Sequence, residues 1–295
     1  MKIGIDLGGT KTEGILVDSK GKELIKTRIK TQKNYQGTID GIISVVYEFE
    51  KNFGEVDSVG IGMPGAISAD SALIKNANSI WLNGKPLKKD LENRLQRKVN
   101  LENDANCFAL SEAVDGAGKG HSVVFGVILG TGVGGGIIIN QKVLQGRNKI
   151  SGEWGHITLP NRTEVEKKYN KKCYCKKEGC METYVSGPGF ASIYNLRHDT
   201  NLDSHEIING YPGDQKSLVA LENYVDHLAR GLSVVINILD PDIIVLGGGM
   251  SNVDYIYTNI NDQLKQYVFT DTCHTKVVKN FHGDSGGVRG AAWLS

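Results

Sequence analysis

His156, Cys173, Cys175 and Cys180 fall in one stretch between Gly152 and Glu182, with the carboxylates Glu153 and Glu182 beside them. Thiolate sulfur and imidazole nitrogen are the donors zinc prefers, and three Cys with one His make a closed, tetrahedral, structural set. The spacing C-x-C-x4-C lets a tight knuckle containing Gly179 wrap an ion, and His156 closes the site from a distance. The alternative is disulfide pairing. Five cysteines is an odd number, and the chain opens directly into a strand pattern with no room for a secretory leader. Such a cluster outside an oxidising compartment points to metal.

Two glycine turns offer a different chemistry. Lys2 to Leu7 is a short apolar strand that runs into Asp6-Leu7-Gly8-Gly9-Thr10-Lys11-Thr12, and Gly14 to Asp18 returns as a second strand. Peptide N–H groups in such a turn can cradle an anion. Thr10 and Lys11 are placed to meet phosphate, and Asp6 to hold Mg²⁺ through water. The segment is close to a Walker loop, but a strand follows it where a helix should. Taken alone it is equally an ordinary hairpin. The second turn, Gly130-Thr131-Gly132 through Gly136, lies between strands Val123 to Leu129 and Ile137 to Asn140. It satisfies G-x-G-x-x-G but again lacks the following helix, so a dinucleotide-binding reading is rejected. Leu7-Gly8 matches Leu129-Gly130, and Gly14-Ile15 matches Gly136-Ile137. The chain reads as a duplicated unit with one cradle in each half.

Three further points carry candidate chemistry. Asp104 stands where the strand Val99 to Leu101 gives way to a helix from Ala105 to Val114, the place where open sheets put their ligands. It is either a general base or the helix cap. Asn76 to Asn83 is dense in amides around Trp81, which suits sugar hydroxyls or a capped surface turn. Gly247, Gly248 and Gly249 follow the buried strand Ile243 to Leu246. They leave room for a purine and ribose, or for close helix–strand packing.

The elements that must position these groups show in the periodicity. Ile39, Ile42, Ile43, Val46, Phe49 and Phe53 predict an amphipathic helix over 38–53 capped by Thr38. Leu87, Leu91 and Leu95 predict another from Pro86 to Arg97. A long helix spans about 217–239 and stops at Asp240-Pro241. A further helix is expected from about Asn252, and a terminal one over 288–294. Cys107 reads as core, and Cys273 has no neighbouring ligand types.

Composition limits the partners. With 40% hydrophobic and 23% charged residues over 295 positions, the chain can bury a large core, more readily as two lobes than one. A net charge of +1 without a basic stripe gives no reason to expect nucleic acid or an anionic membrane. No apolar run approaches the roughly 20 residues that span a bilayer. A cytoplasmic protein is expected.

Together, Gly4 to Thr12, Gly130 to Gly136, Glu153-Trp154-Gly155-His156 and Cys173 to Glu182 resemble the ROK family (repressors, open reading frames and sugar kinases) over essentially the whole chain. Asn76 to Leu87, Asn103 to Gly116, Val235 to Asp254 and His282 to Leu294 are most similar to its bacterial fructokinases of the manno(fructo)kinase type. The resemblance implies an α/β, actin-like ATPase fold of two ribonuclease-H-like lobes with a nucleotide and sugar cleft. The expected lobes are 1–117 plus 284–295, and 118–283. It implies a hexose kinase using ATP and Mg²⁺, with fructose as acceptor and mannose second; glucose or an N-acetylated hexosamine such as N-acetylmannosamine are the rivals. Asp104 falls on the family's catalytic base. Asn103, Glu153, His156, Glu182 and, more weakly, Asn78 fall on its sugar-binding positions. Structural Zn²⁺ falls on His156, Cys173, Cys175 and Cys180, and a homodimer is implied. Lys176 departs from the pattern, since a glycine commonly follows the second cysteine. The family's repressors carry a DNA-binding segment ahead of the first cradle, whereas here the cradle strand begins at Lys2. A sugar-sensing regulator without catalysis is the rival from another class.

Overall fold

The structure is a computed structural model and describes residues 1–294. The chain divides into two units. Unit 1 comprises Met1–Gly120, Gly136–Ser151 and the residues from Phe281 on, and unit 2 comprises His121–Gly135 and Gly152–Asn280.

Unit 1 begins with β1 (Lys2–Leu7), β2 (Lys11–Val17) and β3 (Glu23–Lys30), then α1 (Tyr35–Phe53) and β4 (Ser58–Met63). A short hairpin of β5 (Ala66–Ile67) and β6 (Ile74–Lys75) leads to α2 (Leu87–Leu95), β7 (Lys98–Asn103) and α3 (Asp104–Val114). The sheet order is β3-β2-β1-β4-β7. β1 pairs antiparallel with β2 and parallel with β4, and β4 pairs parallel with β7. β3 escaped the periodicity because its residues are largely exposed or half-buried. A charged outer strand is how a sheet edge resists further pairing.

α1 buries Ile39, Ile42, Ile43, Val46 and Phe49 as their spacing predicts. Each such side chain contributes about 1.5–3 kcal/mol on burial. The expected cap is corrected. Asn34 caps α1 by accepting from Gly37 N, so the helix starts at Tyr35. Thr38 is buried inside it, where its Oγ1 accepts from Trp81 Nε1 and so ties the amide-rich loop to the helix.

In the second half, β8 (Val123–Leu129), β9 (Val133–Ile139) and β10 (Lys142–Val143) precede α4 (Glu164–Lys168), α5 (Glu182–Val185), α6 (Gly187–His198), α7 (Ser204–Gly210) and α8 (Gln215–Leu239). Then come β11 (Ile243–Gly247), α9 (Asp254–Leu264) and β12 (Lys276–Lys279), and α10 (Gly286–Trp293) closes the described chain in unit 1. The second sheet has the order β10-β9-β8-β11-β12, with β11 parallel to β8 and to β12. Counted along its own half, this repeats the first sheet's order, as the duplication predicts.

Residues 136–151 group with unit 1, which differs from the expected 118–283 lobe. The reason is local packing. A Cβ on Gly136 would lie 2.8 Å from the carbonyl oxygen of Ala105 and from the Ala109 Cβ, so the backbone lies directly on α3. α8 ends as read, with Asp240 at φ 47° and Pro241 after it. The helix expected from Asn252 is a 3₁₀ turn, Gly249–Asn252, followed by α9. The fold is the two-lobed, actin-like α/β architecture.

Candidate active site

In unit 1 the first glycine turn is drawn tight. Gly8 N donates to Lys11 O at 3.0 Å, and a Cβ on Gly8 would lie 2.8 Å from that carbonyl, so only glycine fits there. Thr31 secures the turn from β3's end: its N–H donates to Thr10 O and its Oγ1 to Gly8 O. Gly9, Thr10 and Lys11 are left exposed. Asp6 is half-buried at the end of β1. Burial, then the charges of Asp104 and Glu13, push its carboxyl up to about 7, against the pull of Arg28. Carboxylates that raise one another's pKa form a place that a divalent cation relieves.

Asp104 is exposed at the first position of α3. The cap belongs to Asn103, whose Oδ1 accepts from Ala105 N at 2.9 Å while its Nδ2 donates to Gly65 O at 3.0 Å. Two of the Asn103 groups expected to face sugar are thus used within the fold. Asn78 is exposed on the amide-rich loop. Beside it Ser79 is 2% exposed, and its Oγ has no hydrogen-bond partner among the described residues. That hydroxyl lies 3.4 Å from where a Cβ on Gly9 would sit. Nothing in the sequence singled out Ser79, because its neighbourhood comes from a distant turn.

Asp6 carries a pH prediction. Its folded pKa of about 7 exceeds the ordinary 3.8, so the folded protein holds this proton more tightly than the unfolded chain. Ionising Asp6 therefore costs stability as pH rises from about 4 to about 7, and the cost is constant above that. Asp6→Asn is expected to match the wild type near pH 4 and to exceed it above pH 7 by on the order of 2–4 kcal/mol. Urea unfolding of nucleotide-free protein across that range reads it. Parallel curves for the two proteins would contradict it.

Unit 2 brings several candidates together. Gly130 N donates to Gly132 O at 3.0 Å, and Gly187 N, at the start of α6, donates to Gly130 O at 3.0 Å. Register pairs Gly247 with Ile128, so the glycines after β11 lie beside those after β8. Gly248, at φ 82°, packs so closely that a Cβ would be 2.6 Å from Leu129 C and O. Glu182 links this turn to the cysteine knuckle. Its Oε2 accepts from Val133 N at 3.1 Å, and its Oε1 lies 3.9 Å from Cys173 Sγ.

The backbone closes the knuckle. Leu159 N donates to Gly179 O and Met181 N to Ile157 O, with an antiparallel bridge between Thr158 and Cys180. This sets His156, at the end of the 3₁₀ turn Trp154–His156, against the cysteines. His156 Nδ1 lies 3.7 Å from Cys173 Sγ, and Cys175 Sγ lies 3.5 Å from Cys180 Sγ. The four donor atoms all lie within 4.8 Å of one another. Ligands around one tetrahedral zinc are about 3.6–3.8 Å apart, so the set fits such an ion. The five cysteines are free thiols. Glu153 is exposed immediately before the turn, and Trp154 is buried, donating through Nε1 to Gly134 O.

Lys176 explains its own oddity. It sits at φ 71°, in the left-handed region where a glycine is unstrained. Lys176→Gly is expected to stabilise the zinc-loaded protein by about 1 kcal/mol. Thermal unfolding reads this as a higher midpoint, and a lower midpoint would contradict it.

The polar connector between His156 and Cys173 is anchored to the body of unit 2. Thr163 and Glu166 form a capping box for α4. Glu166 is buried and pairs with Arg230 and His227 of α8, while Arg230 also donates to Pro160 O and Asn161 O. Burial pushes the Glu166 carboxyl up, but hydrogen bonds from His227 and Arg230 outweigh it and hold it well below the ordinary range. Glu166, Asp226 and His227 are ligand types grouped together, but the Arg230 cation already occupies their midst. Losing one partner of such a buried pair costs about 3–5 kcal/mol.

The chain is similar to known proteins over its whole length. The N-acetyl-D-glucosamine kinase of Salmonella typhimurium is 40% identical over 299 residues, covering 100% of this chain and 99% of that protein. A ROK hexokinase from Thermus thermophilus has a TM-score of 0.88 at 26% identity, covering 100% of this chain and 98% of that one. A ROK family glucokinase from Streptomyces griseus, solved with glucose and AMPPNP, has a TM-score of 0.76 at 29% identity, with the same coverage. The ROK family model matches residues 2–295. With paired glycine turns, the Asp104 strand end and the Cys/His knuckle all in the expected order, the chain belongs to the ROK family.

Proposed function

We propose that this protein is an ATP-dependent sugar kinase whose acceptor is an N-acetylated hexosamine, N-acetylglucosamine first. The observation that carries the kinase reading is Glu182. One carboxylate is bonded to the second glycine turn through Val133 N and also lies against the Cys/His knuckle. A group in that position connects a phosphate cradle to a sugar-facing acid.

The acceptor reading replaces the expected fructose. The relatives at 40% identity are N-acetyl-D-glucosamine kinases. Of the runs that suggested a fructokinase, Asn103 to Gly116 spans the whole of α3 and His282 to Leu294 the whole of α10, so they are scaffold as much as site. Discrimination needs side chains that meet the substituent by which hexoses differ.

In this reading Asp104 accepts the proton of the attacking sugar hydroxyl. Glu153, Glu182, Asn103 and Asn78 hold the other hydroxyls, and His156, whose Nε2 lies 2.9 Å from Tyr174 Oη, orients the sugar-facing groups beside it. Gly8, Gly9, Thr10, Lys11, Gly130, Thr131 and Gly132 receive the phosphates, and Gly247, Gly248 and Gly249 lie against the adenosine. Mg²⁺ is assigned to Asp6, where it would neutralise charge on the transferring phosphoryl group. Zn²⁺ is assigned to His156, Cys173, Cys175 and Cys180, where four protein ligands leave no position for water and the ion is structural.

A coupled ADP-release assay tests the reading, with Mg-ATP against N-acetylglucosamine, N-acetylmannosamine, glucose, fructose and mannose at matched concentration. N-acetylglucosamine is expected to give the highest kcat/KM. A clear fructose preference would restore the fructokinase assignment. No sugar-dependent ADP release would favour a sugar-sensing regulator.

A further inference from the structure

The residue between the first two cysteines, Tyr174, is 76% exposed while Cys173 beside it is buried. An aromatic ring in water normally lacks a fixed polar contact, but this one has two contacts with the same partner. Tyr174 Oη lies 2.9 Å from His156 Nε2, and the two rings meet edge to face at 5.2 Å between centroids. The imidazole therefore has a different neighbour on each nitrogen, since Nδ1 faces Cys173 Sγ at 3.7 Å. An imidazole that gives Nδ1 to the knuckle carries its proton on Nε2. His156 then donates and Tyr174 Oη accepts. The phenol's own proton has no second partner among the described residues.

An inventory of donors shows what that proton is for. Of the unit 2 groups assigned to the sugar, Glu153 and Glu182 are carboxylates and only accept. They suit sugar hydroxyls, which can donate. His156 Nε2–H is already committed to Tyr174. A carbonyl oxygen on the substrate can only accept, so it needs a donor, and the exposed Tyr174 O–H is a donor in this half of the site. Hexoses carry no amide carbonyl in their ring form, whereas an acetamido substituent does.

We propose that Tyr174 is a specificity-determining residue that donates a hydrogen bond to the acetamido carbonyl of an N-acetylhexosamine, oriented by His156. The inference rests on the kinase reading above and adds the residue that tells the acetylated sugar from its parent hexose.

The test uses the full-length, zinc-loaded protein, with steady-state kinetics on N-acetylglucosamine and on glucose. Tyr174→Phe keeps the ring and removes the hydroxyl. Its kcat/KM on N-acetylglucosamine is expected to fall about tenfold, the worth of one hydrogen bond, through a higher KM. On glucose it is expected to stay within about twofold. Zinc content and melting temperature, measured alongside, should not move, because the side chain is exposed. Should Tyr174→Phe fold poorly, Tyr174→Leu carries the same expectation. An equal loss on both sugars, or no loss on either, would overturn the inference while leaving the kinase reading intact. Wild-type protein that phosphorylates glucose but no N-acetylhexosamine would overturn the acceptor reading and this inference with it. Wild-type protein with no sugar-dependent turnover would overturn the kinase reading as well.

Discussion

Asp104→Asn is expected to lower kcat by on the order of 10³-fold while sugar binding persists. The side chain is nearly the same shape, so the fold should not respond. Asn103 caps α3 in either protein, and an Asn at 104 keeps a carbonyl oxygen where Oδ1 now accepts from Ala105 N at 2.8 Å. What is lost is the capacity to take a proton. In phosphoryl transfer the protein mainly positions groups and stabilises charge, so the base is one of few chemical duties left to a side chain. The informative comparison is turnover beside sugar affinity measured by calorimetry without ATP. A large drop in kcat with an unchanged Kd supports the base. Full activity would remove Asp104 from the mechanism, and a matching loss of affinity would make it a binding residue instead.

Cys175→Ser is expected to lose zinc and several kcal/mol of stability, and to raise the sugar KM more than it lowers kcat. The argument is one of loop closure. Cys175 and Cys180 are 3.5 Å apart, and His156 reaches Cys173 from a separate turn, so a single ion bound there would cross-link three segments. Without it, His156 and Glu182 are held on one side only, by backbone pairing around Thr158 and Cys180 and by the Val133 contact. Phosphate binding should suffer less, because the Gly130 and Gly248 turns are packed against each other independently. Metal analysis, thermal unfolding and separate KM values for sugar and ATP measure all three. Unchanged metal content would refute the ligand set. Unchanged sugar KM after metal loss would show that the knuckle stabilises without positioning.

Much of the site was legible because the chemistry is written in local spacing. C-x-C-x4-C, the two glycine turns and a carboxylate at a strand end are short-range patterns. Each fixes a local geometry through backbone freedom or ligand type, whatever surrounds it. The duplicated sheet was legible for the same reason, since Leu7-Gly8 and Leu129-Gly130 mark the same bend in two halves. The acceptor was not legible. Runs such as Asn103 to Gly116 build a whole helix, and a helix by itself does not name a sugar.

The sequence by itself determined the Cys/His cluster, the paired glycine turns and the periodic faces of α1 and α8, because neighbours along the chain decide those. Only the tertiary structure decided that Asn34 rather than Thr38 caps α1 and that Asn103 rather than Asp104 caps α3. A cap is chosen by which side chain reaches a free N–H, and one residue of offset changes the answer. Tertiary structure also decided that the polar connector is pinned by Glu166 to Arg230, and that Tyr174 leans on His156. Those partners are far apart in the chain, and no spacing rule links them. Their contacts exist only because a folded backbone brings them within hydrogen-bond reach.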